Sequence, residues 1–317
     1  MSNPFYHLRP NKYVDRQLFV AALERLNSYI QLCNYRYIGF GSYMFDDFKL
    51  MHTRLHISNM VSLECDPTSI ERAKFNMPYS CIDLLQQSST DFISNEELGL
   101  NGNIIWLDYT KPSELGMQFS DFAALLPMLH PNDVIRITLN AAPSSLGNSE
   151  NKDVIHEKRL EELKNRIGQY IPESIHPQNL TTREYPMTLL KCLKKASFSA
   201  INGSNYLLPL LATAYDDGQQ MLTFTGIIAN HEIEENIQGC FGDLEFASLS
   251  WDKLNYVTIP ELTIKEAIEI NKKLPGDNAE QQIQDSFSFV FSKDKTEKLK
   301  SYISFYKYYP SFHSVNF

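Results

Sequence analysis

The stretch Arg36-Tyr37-Ile38-Gly39-Phe40-Gly41-Ser42-Tyr43-Met44-Phe45 (RYIGFGSYMF, residues 36–45) decides the fold. It reads as a strand running into two glycines and then into aromatics, where a ligand-binding loop would continue with small residues. Beyond it, short apolar runs alternate with helical stretches. DDFKLMHTRL (46–55) is a helix, NMVSLE (59–64) a strand, and DPTSIERAKFN (66–76) a helix with Asp66 as its N-cap and Pro67 in its first position. CIDLL (81–85), NIIWLDY (103–109) and DVIRITLNA (133–141) are further strands, separated by helices in TDFISNEELG (90–99) and FSDFAALLPML (119–129). This alternation predicts βαβ units, and hence a parallel sheet covered by helices on both faces.

The pattern changes on either side of this block. Upstream, residues 14–31 place Leu18, Ala22, Leu26 and Ile30 four apart, with Phe19 and Leu23 beside them, as in an amphipathic helix. Downstream, a long charged helix (152–171) leads to SNYLLPLLATAYDDGQQMLTFTGIIAN (204–230), where Asp216-Asp217-Gly218 separates two apolar runs. Asp-Gly between strand-like runs signals a hairpin, because its backbone accepts the positive φ of a tight turn. Later still, Thr263 and Glu266 form a capping box, and Pro275 stops the helix that they open.

In a doubly wound sheet, ligands sit beyond the carboxyl ends of the strands where the strand order reverses, which places Gly39 and Gly41 at the site. A dinucleotide fingerprint requires a third glycine where this chain has Met44, which argues against a pyrophosphate cofactor. Glu64 ends the second strand 23 positions after Gly41, near the spacing at which a carboxylate reaches ribose hydroxyls.

Taken together, YIGFGS, VSLECDPTSIERAKFN, IIWLDY and the Asp-Gly hairpin resemble the successive motifs of the class I S-adenosylmethionine-dependent methyltransferases over residues 34–229. The resemblance implies an α/β, Rossmann-like, doubly wound, mostly parallel sheet of seven strands that ends in an antiparallel hairpin. It implies S-adenosylmethionine as cofactor, with its methionine carboxylate and ribose near Gly39, Phe40, Gly41 and Ser42. The ribose hydroxyls would lie on Glu64 beside Cys65, and the adenine by Gln87, Ser88 and Ser89. Asp108 and Tyr109 would face an unidentified methyl acceptor, Asp108 as base or orienting group, with Asp46 or Asp47 as a second polar contact.

The chain departs from the family pattern in two places. Tyr37 stands where an acid usually precedes the first glycine, and LDYT (107–110) lacks the prolines of amino-group methyltransferases, so a base-amine substrate is disfavoured and the acceptor is expected to be oxygen or an undetermined group. The alternative is a methyltransferase-like binding subunit without catalysis, its cleft plugged by Tyr43 or Phe45.

The expected organisation is an N-terminal helical segment (1–33), the methyltransferase-like domain (34–229, with an extended helical connection over 150–205) and a mainly helical extension (230–317). A protein partner could dock on that extension, where Tyr302, Phe305, Tyr306, Tyr308 and Tyr309 cluster around Lys307. With 38 acidic against 29 basic residues and a net charge of −9, unaided nucleic-acid binding is disfavoured. Lys191, Lys194 and Lys195 form the densest basic cluster and read as a solvated helix face. The five scattered cysteines encode neither a disulfide framework nor a zinc site, and His52 and His56 have no partner at metal-binding spacing. No apolar run approaches signal-peptide or membrane-spanning length, so a cytoplasmic protein with no metal is expected.

Overall fold

The computed structural model describes residues 9–149, 151–291 and 296–310, the side chains of residues 152 and 153 excepted. The first eight residues of the expected N-terminal segment and the last seven of the expected extension lie outside the described residues. In chain order the helices and strands are α1 (Pro10–Leu26), β1 (Arg36–Gly39), α2 (Asp46–Leu55), β2 (Asn59–Leu63), α3 (Pro67–Asn76), β3 (Ile82–Leu85) and α4 (Ser89–Asn95). There follow β4 (Asn103–Asp108), α5 (Leu115–Leu125), β5 (Val134–Asn140), α6 (Lys152–Ile167), α7 (Tyr185–Ala200), β6 (Tyr206–Asp216) and β7 (Gln220–Ala229). The chain continues through α8 (Glu234–Gly239), β8 (Asn255–Val257), α9 (Ile264–Asn271), α10 (Ala279–Ser286) and α11 (Thr296–Phe305).

One mixed sheet runs β3-β2-β1-β4-β5-β7-β6-β8. Strands β1 to β5 are parallel, and β7 pairs antiparallel with both β5 and β6. The order reverses between β1 and β4, so the carboxyl ends of these strands open the crevice where ligands bind in such sheets. The hairpin turns at Gly218, which has φ +93°, as the Asp-Gly signal required.

Successive side chains of each strand enter opposite cores, because strand residues alternate faces. Ile105, Leu107, Ile135, Ile137 and Phe224 pack under α4 to α7, against Phe92, Phe119, Phe122, Leu163 and Leu189. Ile104, Trp106, Val134 and Ile227 pack under α1 and α2, against Phe19, Leu23, Phe45, Phe48 and Met51. Both faces are therefore sealed, as a parallel sheet requires. The connection over 150–205 is part of this packing: Leu163, Leu189 and Leu193 are fully buried beneath the sheet.

Two features differ from the sequence expectation. Helix α1 begins at Pro10, four residues before the apolar periodicity starts, and its first turns bury Asn11, Lys12, Asp15 and Arg16. A polar residue on the buried face breaks the pattern from which a helix is read. The sheet has eight strands where seven were expected, since Asn255–Val257 adds parallel to β6. This strand joins the C-terminal segment to the sheet, and Tyr302 and Phe305 of the aromatic cluster point inward and are buried. No helix among the described residues is long and apolar enough to cross a membrane.

Asp15 fastens α1 to the sheet. Its carboxylate pairs with Arg136 of β5 at 2.5 Å and accepts hydrogen bonds from Thr213 of β6 and, at 2.6 Å, from Thr223 of β7. The Arg136 guanidinium lies 4.5 Å above the Phe19 ring and 4.7 Å above that of Trp106, and neither charged side chain has any exposed surface. Removing one partner leaves the other charge buried and unpaired. Asp15→Ala is expected to lower unfolding stability by about 3–5 kcal/mol, and Asp15→Leu combined with Arg136→Met by much less. Urea-denaturation midpoints of the three proteins check both.

Candidate functional site

The loop after β1 closes on itself. Phe45 N–H donates to the Gly41 carbonyl at 2.8 Å, Gly41 N–H donates to Ser62 Oγ at 3.2 Å, and Ser42 and Phe45 hold φ of 51° and 52°. These left-handed turns drive the Phe45 ring away from the crevice and into the core beneath α2, where it meets Phe48 edge-on at 5.6 Å. A Cβ on residue 41 would stand 2.7 Å from both Phe45 Cδ1 and Ser62 Oγ. Gly41 thus has a packing reason of its own: glycine lets the aromatic ring of Phe45 come close. Tyr43 is held by Arg72, whose guanidinium carbon lies 3.6 Å from its ring centre.

With those aromatics turned away, a cleft of about 410 Å³ opens over the strand ends. Its walls are Phe40 and Ser42 after β1, Glu64 and Cys65 after β2, Gln87 to Thr90 after β3, Asp108 to Lys111 after β4, and Glu114, Met117 and Gln118 leading into α5. The structure therefore brings together Phe40, Ser42, Glu64, Cys65, Ser88, Ser89, Asp108 and Tyr109. Gly39 and Gly41, expected at the ligand, are not among the lining residues.

The groups in the cleft differ in what they can do. Glu64 Oε1 accepts from the Asp66 backbone N–H at 2.9 Å, which fixes the carboxylate at the end of β2. Asp108 pairs with Lys12 of α1 at 2.9 Å, the two side chains being 14% and 4% exposed. Burial pushes the Asp108 carboxyl up, but Lys12, then Arg16 and a Thr138 hydrogen bond outweigh it and hold the pKa below its ordinary value. An ionised carboxylate held this way is a weak base. Tyr109 donates to Asp121 at 2.7 Å, and burial followed by the Asp121 charge raises its pKa. Its hydroxyl therefore stays protonated, and its ring meets Phe40 edge-on at 5.5 Å. Gln118 is 1% exposed; its Nε2 donates to the Lys111 carbonyl at 2.7 Å, while its buried Oε1 has no partner among the described residues.

Asp46 and Asp47 do not line the cleft. Asp46 lies 3.7 Å from Arg16, and Asp47 accepts the Tyr37 hydroxyl. Burial, only partly offset by Arg16, raises the Asp47 pKa. Tyr37, at the position where the family usually has an acid, thus contacts a carboxylate supplied by α2.

Residues 4–317 match the sequence profile of the family described as "Putative O-methyltransferase". The chain belongs to this family. Its strand order and terminal antiparallel strands are those of a class I methyltransferase. No curated protein matches it by sequence. Among solved structures it is similar to the N-methyltransferase NodS of Bradyrhizobium japonicum WM9, at 12% identity over 68% of this chain and 97% of that one, with TM-score 0.38. It is also similar to TYW2 of M. jannaschii in complex with AdoMet, at 11% identity over 62% and 69% of the two chains, with TM-score 0.34.

Of the lining, Thr90, Thr110, Lys111, Glu114, Met117 and Gln118 were not read from the sequence of this methyltransferase, nor were Lys12 and Asp121, which hold Asp108 and the hydroxyls behind the wall. A faint signal existed for Lys12, because Lys12, Asp15 and Arg16 recur at helical spacing ahead of the apolar face. In Lys12→Met, Asp108 should lose its main stabilising partner and its pKa should rise, as read by carboxyl NMR titration. The sign for stability follows. In the native protein the depressed Asp108 pKa contributes stability above about pH 4, lost as pH falls through the folded pKa. That acid-limb contribution should shrink in Lys12→Met, where Arg16 and Thr138 remain.

Proposed function

We propose that the protein is an S-adenosylmethionine-dependent methyltransferase acting on oxygen. The observation that carries this reading is the open cleft across β1, β2 and β4, with Glu64 fixed on one side and Asp108 on the other. Its volume suits a ligand of cofactor size, since such pockets span about 300–1,000 Å³. The buried, unpartnered Gln118 Oε1 supports the same reading, because a buried acceptor without a donor is costly unless a ligand supplies one. The cleft is not plugged by Tyr43 or Phe45, which favours catalysis over the binding-subunit alternative.

In this reading Glu64 takes the ribose hydroxyls, a task suited to a carboxylate with several lone pairs. Ser42, Phe40 and Cys65 line the ribose and methionine end, and Gln87, Ser88 and Ser89 the base end. When bound, the cofactor supplies an activated methyl group on a sulfonium, so the protein's contribution is mainly alignment. Asp108, kept ionised by Lys12, orients the acceptor and places negative charge near the reacting centre. Tyr109 shapes the cleft through its ring, its hydroxyl being committed to Asp121.

Isothermal titration with S-adenosylmethionine and S-adenosylhomocysteine tests this reading directly. Micromolar binding is expected, and absence of binding at millimolar ligand would overturn it. Glu64→Ala should weaken binding by about tenfold or more, since hydrogen bonds to charged groups contribute about 1.5–3 kcal/mol. Its melting temperature should be unchanged, because Glu64 is half-exposed and outside both cores.

A further inference from the structure

A second cavity, of about 440 Å³, lies away from the cleft and shares no lining residue with it. Its long wall is the second half of α7, which contributes Lys191, Lys194, Lys195, Phe198 and Ser199. Pro172 and Ser174, from the segment after α6, and Asp252, from the segment before β8, complete the lining. The α7 residues share one side of the helix because they fall three and four apart, and Lys191 to Phe198 spans roughly 10 Å along its axis.

The charge pattern alone makes these lysines a solvated face, but the packing gives them a groove. All three are half-buried, and none has a carboxylate within ion-pair distance among the described residues. Lys195 Nζ donates to the Ile171 carbonyl at 2.8 Å, which fixes its ammonium at the groove, while Lys194 Nζ lies 5.9 Å from the centre of the Phe198 ring. Like charges at this spacing repel along a helix. The wall therefore keeps an unneutralised positive charge in a chain whose net charge is −9. On the same face Phe198 is 62% exposed, a large ring open to solvent beside the ammonium groups.

We infer that this cavity binds a nucleoside diphosphate, its phosphates on the lysines and its base against Phe198. Ammonium groups bind phosphate as point charges, and an aromatic face accepts any base by stacking. Ser199 Oγ donates to the Lys195 carbonyl at 2.9 Å and so meets a ligand as an acceptor, as does Asp252, the one acid in the lining. Acceptors beside cations suit a ligand in two parts, an anionic end and a remainder carrying O–H and N–H donors, and they oppose a uniform polyanion. The volume falls within the range of about 300–1,000 Å³ usual for small-ligand pockets.

The test is titration of the full chain at low salt with GDP and with inorganic pyrophosphate. GDP should bind more tightly than pyrophosphate, and Lys191→Gln combined with Lys194→Gln should weaken both by about tenfold or more, the scale of one or two charge-assisted hydrogen bonds. Phe198→Ala should weaken GDP several-fold and leave pyrophosphate unchanged, a split that a merely structural role would not produce. Because these side chains reach solvent, the variants should keep the wild-type melting temperature. No binding of either probe at millimolar concentration, or binding undiminished by the lysine substitutions, would overturn the inference. Tighter binding of a tetraglutamate peptide than of GDP would overturn it too, by making the groove a docking site for acidic protein. Loss of GDP binding in Glu64→Ala rather than in the lysine variants would place the nucleotide in the cleft, with the same consequence. Affinity for S-adenosylhomocysteine should be unaltered in the α7 variants, so this inference stands or falls apart from the cofactor reading.

Discussion

The buried pair between Asp15 and Arg136 is the constraint from which the functional end of the molecule is built. It joins α1 to β5, and through the two threonines to both strands of the terminal hairpin. Taking two charges out of water is expensive, and an apolar replacement of the pair would hold the helix equally well. What an apolar contact lacks is a defined register, because a guanidinium between two aromatic rings and a carboxylate held by two threonines tolerate little sliding. One turn before Asp15, that register brings Lys12 to Asp108 in the cleft. Asn11, beside it, ties the same turn to the hairpin at Asp216 and Asp217 and to the backbone of Ile259. The charge state of Asp108 therefore depends on an ion pair in the core beyond it.

The glycine loop solves a related problem from the other face of β1. A loop with aromatics after its second glycine would close the crevice if those rings faced it. The left-handed turns at Ser42 and Phe45 instead direct Phe45 beneath α2, and Gly41 yields the space that the ring requires. The packing of this loop thus belongs to the core under α2, while the cleft above keeps Phe40 and Ser42 as its own lining.

Much of this was legible in the sequence. The βαβ order, the Asp-Gly hairpin and Glu64 follow from periodicity, turn chemistry and spacing, which are local properties of the chain. Phe40, Ser42, Cys65, Ser88, Ser89, Asp108 and Tyr109 line one cleft because they follow successive strands, and strand ends in a parallel sheet converge. The start of α1 was not legible, since its buried side is polar and its pattern is completed only by partners on β4 to β7. Strand β8 was missed for a different reason: three residues of mixed polarity hold no period, and only the edge of β6 makes them a strand. Asp121 lies in a stretch that reads as an ordinary helix, and its importance comes from hydroxyls 12 to 32 residues away.

Two of the buried carboxylates, Asp15 and Asp121, do the same thing with different counterweights. Asp15 fixes the direction of two threonine hydroxyls and is neutralised by Arg136. Asp121 fixes three hydroxyls and has no cation within ion-pair distance among the described residues, so its charge is compensated by hydrogen-bond dipoles alone. Glu64, Asp108 and Glu114 line the cleft in front of it; Lys12 and Arg16 act on Asp108 and Lys111 pairs with Glu114, whereas Glu64 has no cation within ion-pair distance among the described residues. The Glu64 end of the cleft is therefore negative, and in a partly buried site such charge is felt more strongly than in water. A ligand carrying a positive charge gains from that field, and loses the gain when the charge is discharged. A sulfonium donor and its neutral thioether product differ in this one respect, so the field that helps to draw the proposed cofactor in also weakens the hold on what it becomes.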